Sequence, residues 1–316
     1  MRVLVSNINS TNSTLLVKLL KKINRFNVEV WGTDIFEPGY IASSTFVDRY
    51  FQAPDIEDQT AFLSFIKKLC TQHKIDFIFV SSDKEVRFMD RYRQEVNVPT
   101  VNPSSDIIAL FQDKEKASIA IEKLGLGIPP IYTDLFGKCK VIFRKKCSVS
   151  NTGTYIVDLS RSTHIENHFH DGWFVQKFLE GDTYIVDMFN DCEGNPKLIV
   201  PRKKIEVQGA SAFRSQLVNH KQIIETCKLI YSKFKIPGLS NIEFIENKDG
   251  LHFIEINLRI GGSATAGVIA SFNYIEQYLD HFVNGKSLEK METYMQCVAW
   301  DSVVSRFYEE TIVFKN

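Results

Sequence analysis

The chain carries no net charge: 38 Lys and Arg balance 38 Asp and Glu over 316 residues. Without an overall field it is drawn neither to nucleic acid nor to a membrane surface, and neither is expected as a partner. Long apolar runs are missing too. None approaches the roughly 18 residues of a membrane span, and the N-terminus lacks the basic and then apolar regions of a signal peptide. A cytoplasmic location is expected. Cys70, Cys139, Cys147, Cys192, Cys227 and Cys297 form no CxxC pair and have no His neighbour at zinc spacing. They read as small core thiols in a reducing compartment. Internal repeats and low-complexity segments are also absent. What remains is a 44% apolar chain long enough for two or three packed units.

Glycine is lacking where a dinucleotide would need it. Arg2 to Ser6 reads as a strand, Thr14 to Lys22 as a helix, and Val28 to Gly32 as a strand ending at Thr33-Asp34. That is a βαβ unit of a parallel sheet. The loop from Asn7 to Ser13 has no glycine, so the backbone cannot approach a pyrophosphate closely and NAD is not expected here. Thr60 to His73 is an amphipathic helix, and the strand Asp76 to Val80 ends in Ser81-Ser82-Asp83-Lys84-Glu85. Strand ends of an open α/β sheet face the ligand crevice, which makes Ser81, Ser82, Asp83 and Glu85 candidates for a substrate pocket. The same residues fit a helix cap, with Ser82 as N-cap and Glu85 in capping-box position, and the two roles are compatible. Pro99 to Pro103 closes this first unit.

The second part begins with a helix from Ile107 to Leu126, interrupted around Asp113-Lys114 and stopped by Gly125-Leu-Gly-Ile-Pro-Pro130. Val141 to Lys146 is a strand turning basic at its end, before the polar loop Cys147 to Gly153 and a further strand, Thr154 to Val157. A Ser/Thr/Gly loop beside basic residues suits polyphosphate, and equally an ordinary exposed hairpin. An antiparallel meander follows, through Gly172 to Glu180, Thr183 to Phe189 and Lys197 to Arg202. Arg202-Lys-Lys204 gathers positive charge at a strand end, where it would also keep an edge solvated. A helix is predicted over His220 to Phe234, another over Ser263 to Asn284, and a last strand over Cys297 to Phe314.

The densest chemistry lies between Asn241 and Ser263. Two alternating runs flank Lys248-Asp249-Gly250, predicting a hairpin with a three-residue loop in which Asn247 faces Leu251, Phe244 faces Ile254 and Glu243 faces Glu255. His252, Ile254, Ile256, Leu258 and Ile260 would line one face, and Glu255, Asn257 and Arg259 the other. Two carboxylates about 4 Å apart repel by on the order of 4 kcal/mol at an effective dielectric near 20. Spacing alone leaves two arrangements open. A hard divalent cation takes oxygens of Glu243, Glu255 and Asn257, or the register slips, Glu243 points to solvent and Glu255 pairs only with Arg259.

Glu243, Glu255-Ile-Asn257 and Leu258-Arg259-Ile-Gly-Gly-Ser263 together resemble the ATP-grasp superfamily. They are most similar to the branch of the carbamoyl-phosphate synthetase large subunit, whose motif reads N-P-R-x-G-G-S. The resemblance implies an α/β (α+β) fold, with a Rossmann-like parallel-sheet domain over 1–103 and an ATP-grasp domain over 104–316. Its lid subdomain would span about 130–178 and its catalytic subdomain about 179–316. It implies Glu243, Glu255 and Asn257 as ligands of Mg2+ or Mn2+, and Arg259 and Arg202 as catalytic. Asp113-Lys114 before Gly127-Ile-Pro129 is similar to the family's D-K … G-I-P, so Lys114 is expected on ATP phosphate, with Arg144 where relatives carry Lys or Arg. Ser148 to Gly153, with Ser148 and Ser150 as phosphate contacts, departs from the usual G-S-G-S-x-G loop. Gln176, Lys177, Phe178, Leu179 and Glu180 resemble the hinge that reads adenine, with Glu180 or Asp182 near the ribose. Gly262 and Ser263 are expected near the substrate, and Phe307-Tyr-Glu-Glu310 resembles a terminal strand of stand-alone members.

The activity implied is an ATP- and Mg-dependent carboxylate–amine ligase forming an amide on a small molecule through an acyl phosphate. A bicarbonate-type carboxyl kinase and a degenerate ATP-binding regulatory module are the alternatives, and a homodimer is expected by family analogy.

Overall fold

A computed structural model describes the chain except for residues 134–138, 148–152, 161–171, 209–210, 308–309 and 314–316, and except for the side chains of Ser211 and Thr265. The first unit runs β1 (Arg2–Val5), α1 (Thr11–Leu20), β2 (Glu29–Asp34), β3 (Arg49–Gln52), α2 (Gln59–His73), β4 (Phe77–Phe79) and α3 (Asp83–Val96). Its four strands form a parallel sheet in the order β3-β2-β1-β4. Both faces of β1 are covered, which is why its sequence is continuously apolar rather than alternating. Val3 and Val5 join one core cluster, and Leu4 joins another with Trp31, Phe62 and Ile66.

Two short helices, α4 (Ser105–Phe111) and α5 (Lys114–Glu122), lead to a small antiparallel sheet. Asp113 caps α5 by accepting from the Lys116 N–H, which explains the interruption predicted at Asp113-Lys114. The sheet consists of β5 (Ile131–Tyr132), β6 (Lys140–Lys145), β7 (Thr154–Asp158) and β8 (Trp173–Lys177), ordered β5-β8-β6-β7. It packs around Val141, Phe143, Leu159 and Val175.

The remainder comprises β9 (Asp182–Asn190), β10 (Pro196–Gln208), β11 (Ser211–Leu217), α6 (Lys221–Phe234), β12 (Gly238–Asn247), β13 (Gly250–Asn257), α7 (Thr265–Ile269), α8 (Tyr274–Phe282), α9 (Met291–Met295) and β14 (Val303–Ser305). The six strands make an antiparallel sheet ordered β13-β12-β9-β10-β11-β14. Val186, Met188, Ile242, Phe244, Phe253 and Ile256 pack with Ile223, Cys227 and Tyr231 of α6. Phe189, Leu198, Val200 and Leu217 instead join Val3, Val5 and the α8 residues Tyr278 and Leu279, so the core under the parallel sheet is shared with the last third of the chain.

Three expectations are corrected. The single helix over Ser263 to Asn284 is two helices, broken at Ser271 to Asn273, where the Asn273 carboxamide donates to the Leu19 carbonyl at the end of α1 (3.0 Å). Among the described residues the last strand runs over Val303–Ser305, paired with β11. The hairpin loop has two residues, Lys248 and Asp249, because Asn247 faces Gly250, which takes φ +119°. Phe244 therefore faces Phe253 rather than Ile254, and an extra residue in β13 shifts the register before Glu243 meets Glu255. This bulge takes His252 and Ile254 off the core face and leaves Phe253, Ile256, Leu258 and Ile260 buried there.

Candidate active site

The bulge decides the site, because it keeps Glu243 and Glu255 opposite each other at the mouth of a cleft between the small sheet and the large one. The cleft, about 150 Å³, is lined by Arg144, Gln176, Lys177, Phe178 and Leu179 on one side and by Glu243, Ile254 and Glu255 on the other. Three cations close on the acid pair. Lys114 and Arg144 reach one Glu255 oxygen at 3.0 and 2.8 Å, and Lys204 reaches Glu243 at 2.8 Å. Burial alone would raise the Glu255 pKa, but the Lys114 and Arg144 cations beside it hold it down at about 2. Glu255 is therefore a carboxylate at any neutral pH.

Arg144 is held in place by Gln176, whose amide oxygen accepts from it at 3.2 Å, and by the carbonyl of the bulge residue Ile254 at 3.3 Å. Gln176 is itself buried and donates to Pro129 O (3.3 Å) and Ser118 Oγ (3.4 Å). Its side chain orients Arg144 as well as lining the cleft. The backbone N–H groups of Lys177 and Phe178 donate to Pro130 and Lys140, while Glu180 and Asp182 form exposed pairs with Lys140 and Lys203.

On the other side of Glu255 a polar chain runs toward the parallel sheet. Asn257 Nδ2 donates to Asn241 Oδ1 (3.1 Å) and Glu255 (3.4 Å), its own carbonyl oxygen accepts from Arg259 (3.3 Å), and Arg259 pairs with Asp83 (3.2 Å). The acid pair with the Asn257 oxygen fits a hard divalent cation, since all are oxygen donors and both carboxylates are matched by positive charge in the structure. Among the described residues no cluster of three or more His, Cys, Asp or Glu is available to a metal. A cation here would complete its shell with nucleotide and water oxygens.

Residues 169–302 match the family described as "ATP-grasp in the biosynthetic pathway with Ter operon". The carbamoyl phosphate synthase large chain of Clostridium beijerinckii is 25% identical over 195 residues, which cover 53% of this chain and 18% of that protein. The fold matches biotin carboxylase from Campylobacter jejuni with a TM-score of 0.72 at 16% identity, over 93% of this chain and 73% of that one. It matches L-amino acid ligase from Bacillus licheniformis at 0.69 and 16%, over 93% and 76%, and N5-carboxyaminoimidazole synthetase from Staphylococcus aureus at 0.68 and 14%, over 91% and 78%. An ATP-grasp family thus matches residues 169–302, and the fold over more than nine-tenths of the chain is that of these carboxylase and ligase structures. The chain spans less than a fifth of its carbamoyl phosphate synthase relative.

The ATP-grasp fold brings most of the expected residues into one place and separates a few. Arg202, expected to be catalytic, is not among the residues lining the cleft. Its guanidinium is fully buried, paired with both Asp187 oxygens (2.7 and 2.9 Å) and bonded to Ser215 (3.2 Å) and Ser263 (3.1 Å). It braces Ser263 rather than facing the cleft. Gly262 accepts from Arg306 through its carbonyl. Ser148 and Ser150, and most of the loop to Gly153, lie outside the described residues, as do Tyr308 and Glu309. Ser82 and Glu85 form a full capping box for α3. Burial raises the Glu85 pKa, against four hydrogen bonds from Ser6, Ser81 and Ser82. Ser81 is buried, and Asp83 faces Arg259.

Two site residues are hidden in the sequence. Lys204 reads as a solvated edge charge, yet it is bonded to Glu243, and Asn241 reads as an ordinary strand residue. The alternation of β10 and the pairing of Asn241 with Asn257 are the signals that locate them.

Proposed function

We propose that this protein is an ATP-grasp enzyme, an ATP- and Mg2+-dependent carboxylate–amine ligase working through an acyl phosphate. The observation that carries the reading is the facing pair Glu243 and Glu255, with Lys114, Arg144 and Lys204 closed upon it inside this fold. Glu243, Glu255 and Asn257 would hold Mg2+ or Mn2+, which when bound neutralises charge on the ATP phosphates. Lys114 and Arg144 would then exchange Glu255 for phosphate oxygens. Gln176 to Leu179 would bound the adenine, and Glu180 or Asp182 would stand near the ribose. Arg259 would spread the charge that develops as a substrate carboxylate oxygen attacks the γ-phosphorus and ADP leaves. An amine then attacks the acyl carbon, phosphate departs, and the amine proton is lost to solvent or base. Arg202, through Ser263, would set the wall of the acyl site.

Phosphate release from Mg-ATP, measured against a pool of small carboxylic acids with and without a pool of amines and amino acids, tests this. Release that needs both pools is expected. Release with bicarbonate alone would favour a carboxyl kinase, and binding of ATP without release would favour a regulatory module.

A further inference from the structure

Two side chains of the first unit reach across to Arg259-Ile260. Asp83 Oδ2 accepts from Arg259 Nη2 at 3.2 Å, and Asn12 Nδ2 donates to the Ile260 carbonyl at 3.3 Å. That same carbonyl accepts from Arg259 Nη1 at 3.1 Å. Both side chains therefore act on one guanidinium: Asp83 holds one of its terminal nitrogens, and Asn12 holds the acceptor of the other. Each anchor is itself fixed. Asn12 lies in the first turn of α1, and its amide also donates to the Ser81 carbonyl at 2.9 Å. Asp83 opens α3 between Ser82 and Glu85, whose reciprocal capping bonds pin the turn, and its own carbonyl accepts from the Gln112 amide at 3.0 Å. Ser82, Lys84 and Glu85 line a second cleft at the carboxyl ends of the parallel strands, whereas the Asp83 carboxylate turns to Arg259.

The Arg259 and Asp83 side chains are 14% and 12% exposed, so water and salt screen their attraction little. Such a pair adds little net stability once desolvation is counted, and what it does supply is orientation. Three of the five Arg259 N–H donors are taken, by Asp83, Asn257 and the Ile260 carbonyl. The other two have no partner among the described residues, and a planar guanidinium held on both terminal nitrogens presents them in one direction. We propose that Asp83 and Asn12 are positioning residues for Arg259, through which the first unit aims the guanidinium at the phosphoryl group being transferred. The hold is a property of the chain alone, and its use in turnover rests on the ligase reading.

Two measurements separate the hold from its use. Arginine side-chain 15N NMR of the full chain without nucleotide, with Arg259 assigned by its loss in Arg259→Lys, reads the hold, because a guanidinium bonded on both Nη atoms rotates slowly and gives resolved Nη signals. Resolved signals are expected in the parent chain and merged ones in Asp83→Ala, at an unchanged melting temperature, since Ala suits the first turn of α3 and Ser82 keeps the cap. Resolved signals that survive in both Asp83→Ala and Asn12→Ala overturn the hold. Phosphate release from Mg-ATP with the acid and amine pools reads the use. In Asp83→Ala kcat should fall by about tenfold or more while KM for ATP stays within about twofold. Asp83→Ala combined with Arg259→Lys should be no slower than Arg259→Lys alone, as residues acting through one group require. Multiplied losses in the double variant, or a raised KM at unchanged kcat, overturn the positioning role. A parent chain that releases no phosphate refutes the ligase reading instead, and the Nη signals still decide the hold.

Discussion

At the scale of single residues, Glu255 and Arg202 show how burial and pairing assign different work to charged groups. Glu255 stays ionised because Lys114 and Arg144 outweigh its desolvation. Replacing it by Gln keeps its volume and removes a charge, so Glu255→Gln should retain native circular dichroism and lose ATP-dependent phosphate release. Unaltered release would overturn the proposal that Glu255 is a metal ligand. Arg259→Lys should lower turnover by about 100-fold, since an ammonium cannot reproduce the planar fork whose Nη2 reaches Asp83 and Asn257 while Nη1 donates to the Ile260 carbonyl. Arg202 is buried and ion-paired with Asp187. Arg202→Leu leaves Asp187 buried without its partner and should cost about 3–5 kcal/mol in urea denaturation. Full stability with lost turnover would return Arg202 to the catalytic group.

At the scale of elements, close backbone approach and helix anchoring do the positioning. Gly127 sits against β13, where its carbonyl accepts from the Phe253 N–H at 2.8 Å and an added Cβ would lie 2.5 Å from the Leu251 carbonyl oxygen. Gly127→Ala should therefore push the segment after α5 off the strand and cost about 1–3 kcal/mol, read from the denaturation midpoint. The α8 helix is fixed to the first unit by Asp280, which pairs with Arg25 at 2.8 Å and accepts from Asn284 at 2.9 Å. Burial opposes ionisation of Asp280, but Asn284, Lys286 and Arg25 win and lower its pKa. The stabilisation is thus fully present above the ordinary carboxylate pKa of about 3.9 and is lost as pH falls through the lower folded value. Asp280→Asn should flatten the acid limb of a melting-temperature profile measured down to about pH 3. A profile as steep as that of the parent chain would place the acid sensitivity elsewhere.

At the scale of the whole molecule, the cores are more joined than the sheets. Val3, Val5 and Leu16 share one cluster with Phe189, Tyr278 and Leu279, so the parallel sheet and the large antiparallel sheet should unfold together in one calorimetric transition. The small sheet has four buried core residues among those described. Its amides, in β6 and β8, should exchange with solvent at a lower free energy than those of β9 and β12, as expected of a part that opens over a nucleotide. Equal protection across both sheets would argue against such opening.

The sequence by itself determined the local pieces and the chemistry they carry. Its apolar periodicity placed β1, α2, β4 and α6, and the run Ser81 to Glu85 specified a capping box. These features depend on neighbours within a few residues, where periods of 2 and 3.6 and cap chemistry act. Tertiary structure decided what depends on distant partners. The bulge that restores the Glu243 and Glu255 pairing, the burial of Arg202 against Asp187, the approach of Lys204 to Glu243 and the break between α7 and α8 all follow from packing between strands and helices far apart in the chain. A charged side chain looks the same in sequence whether it faces solvent or an opposite charge, and only the fold supplies the dielectric and the partner that tell them apart.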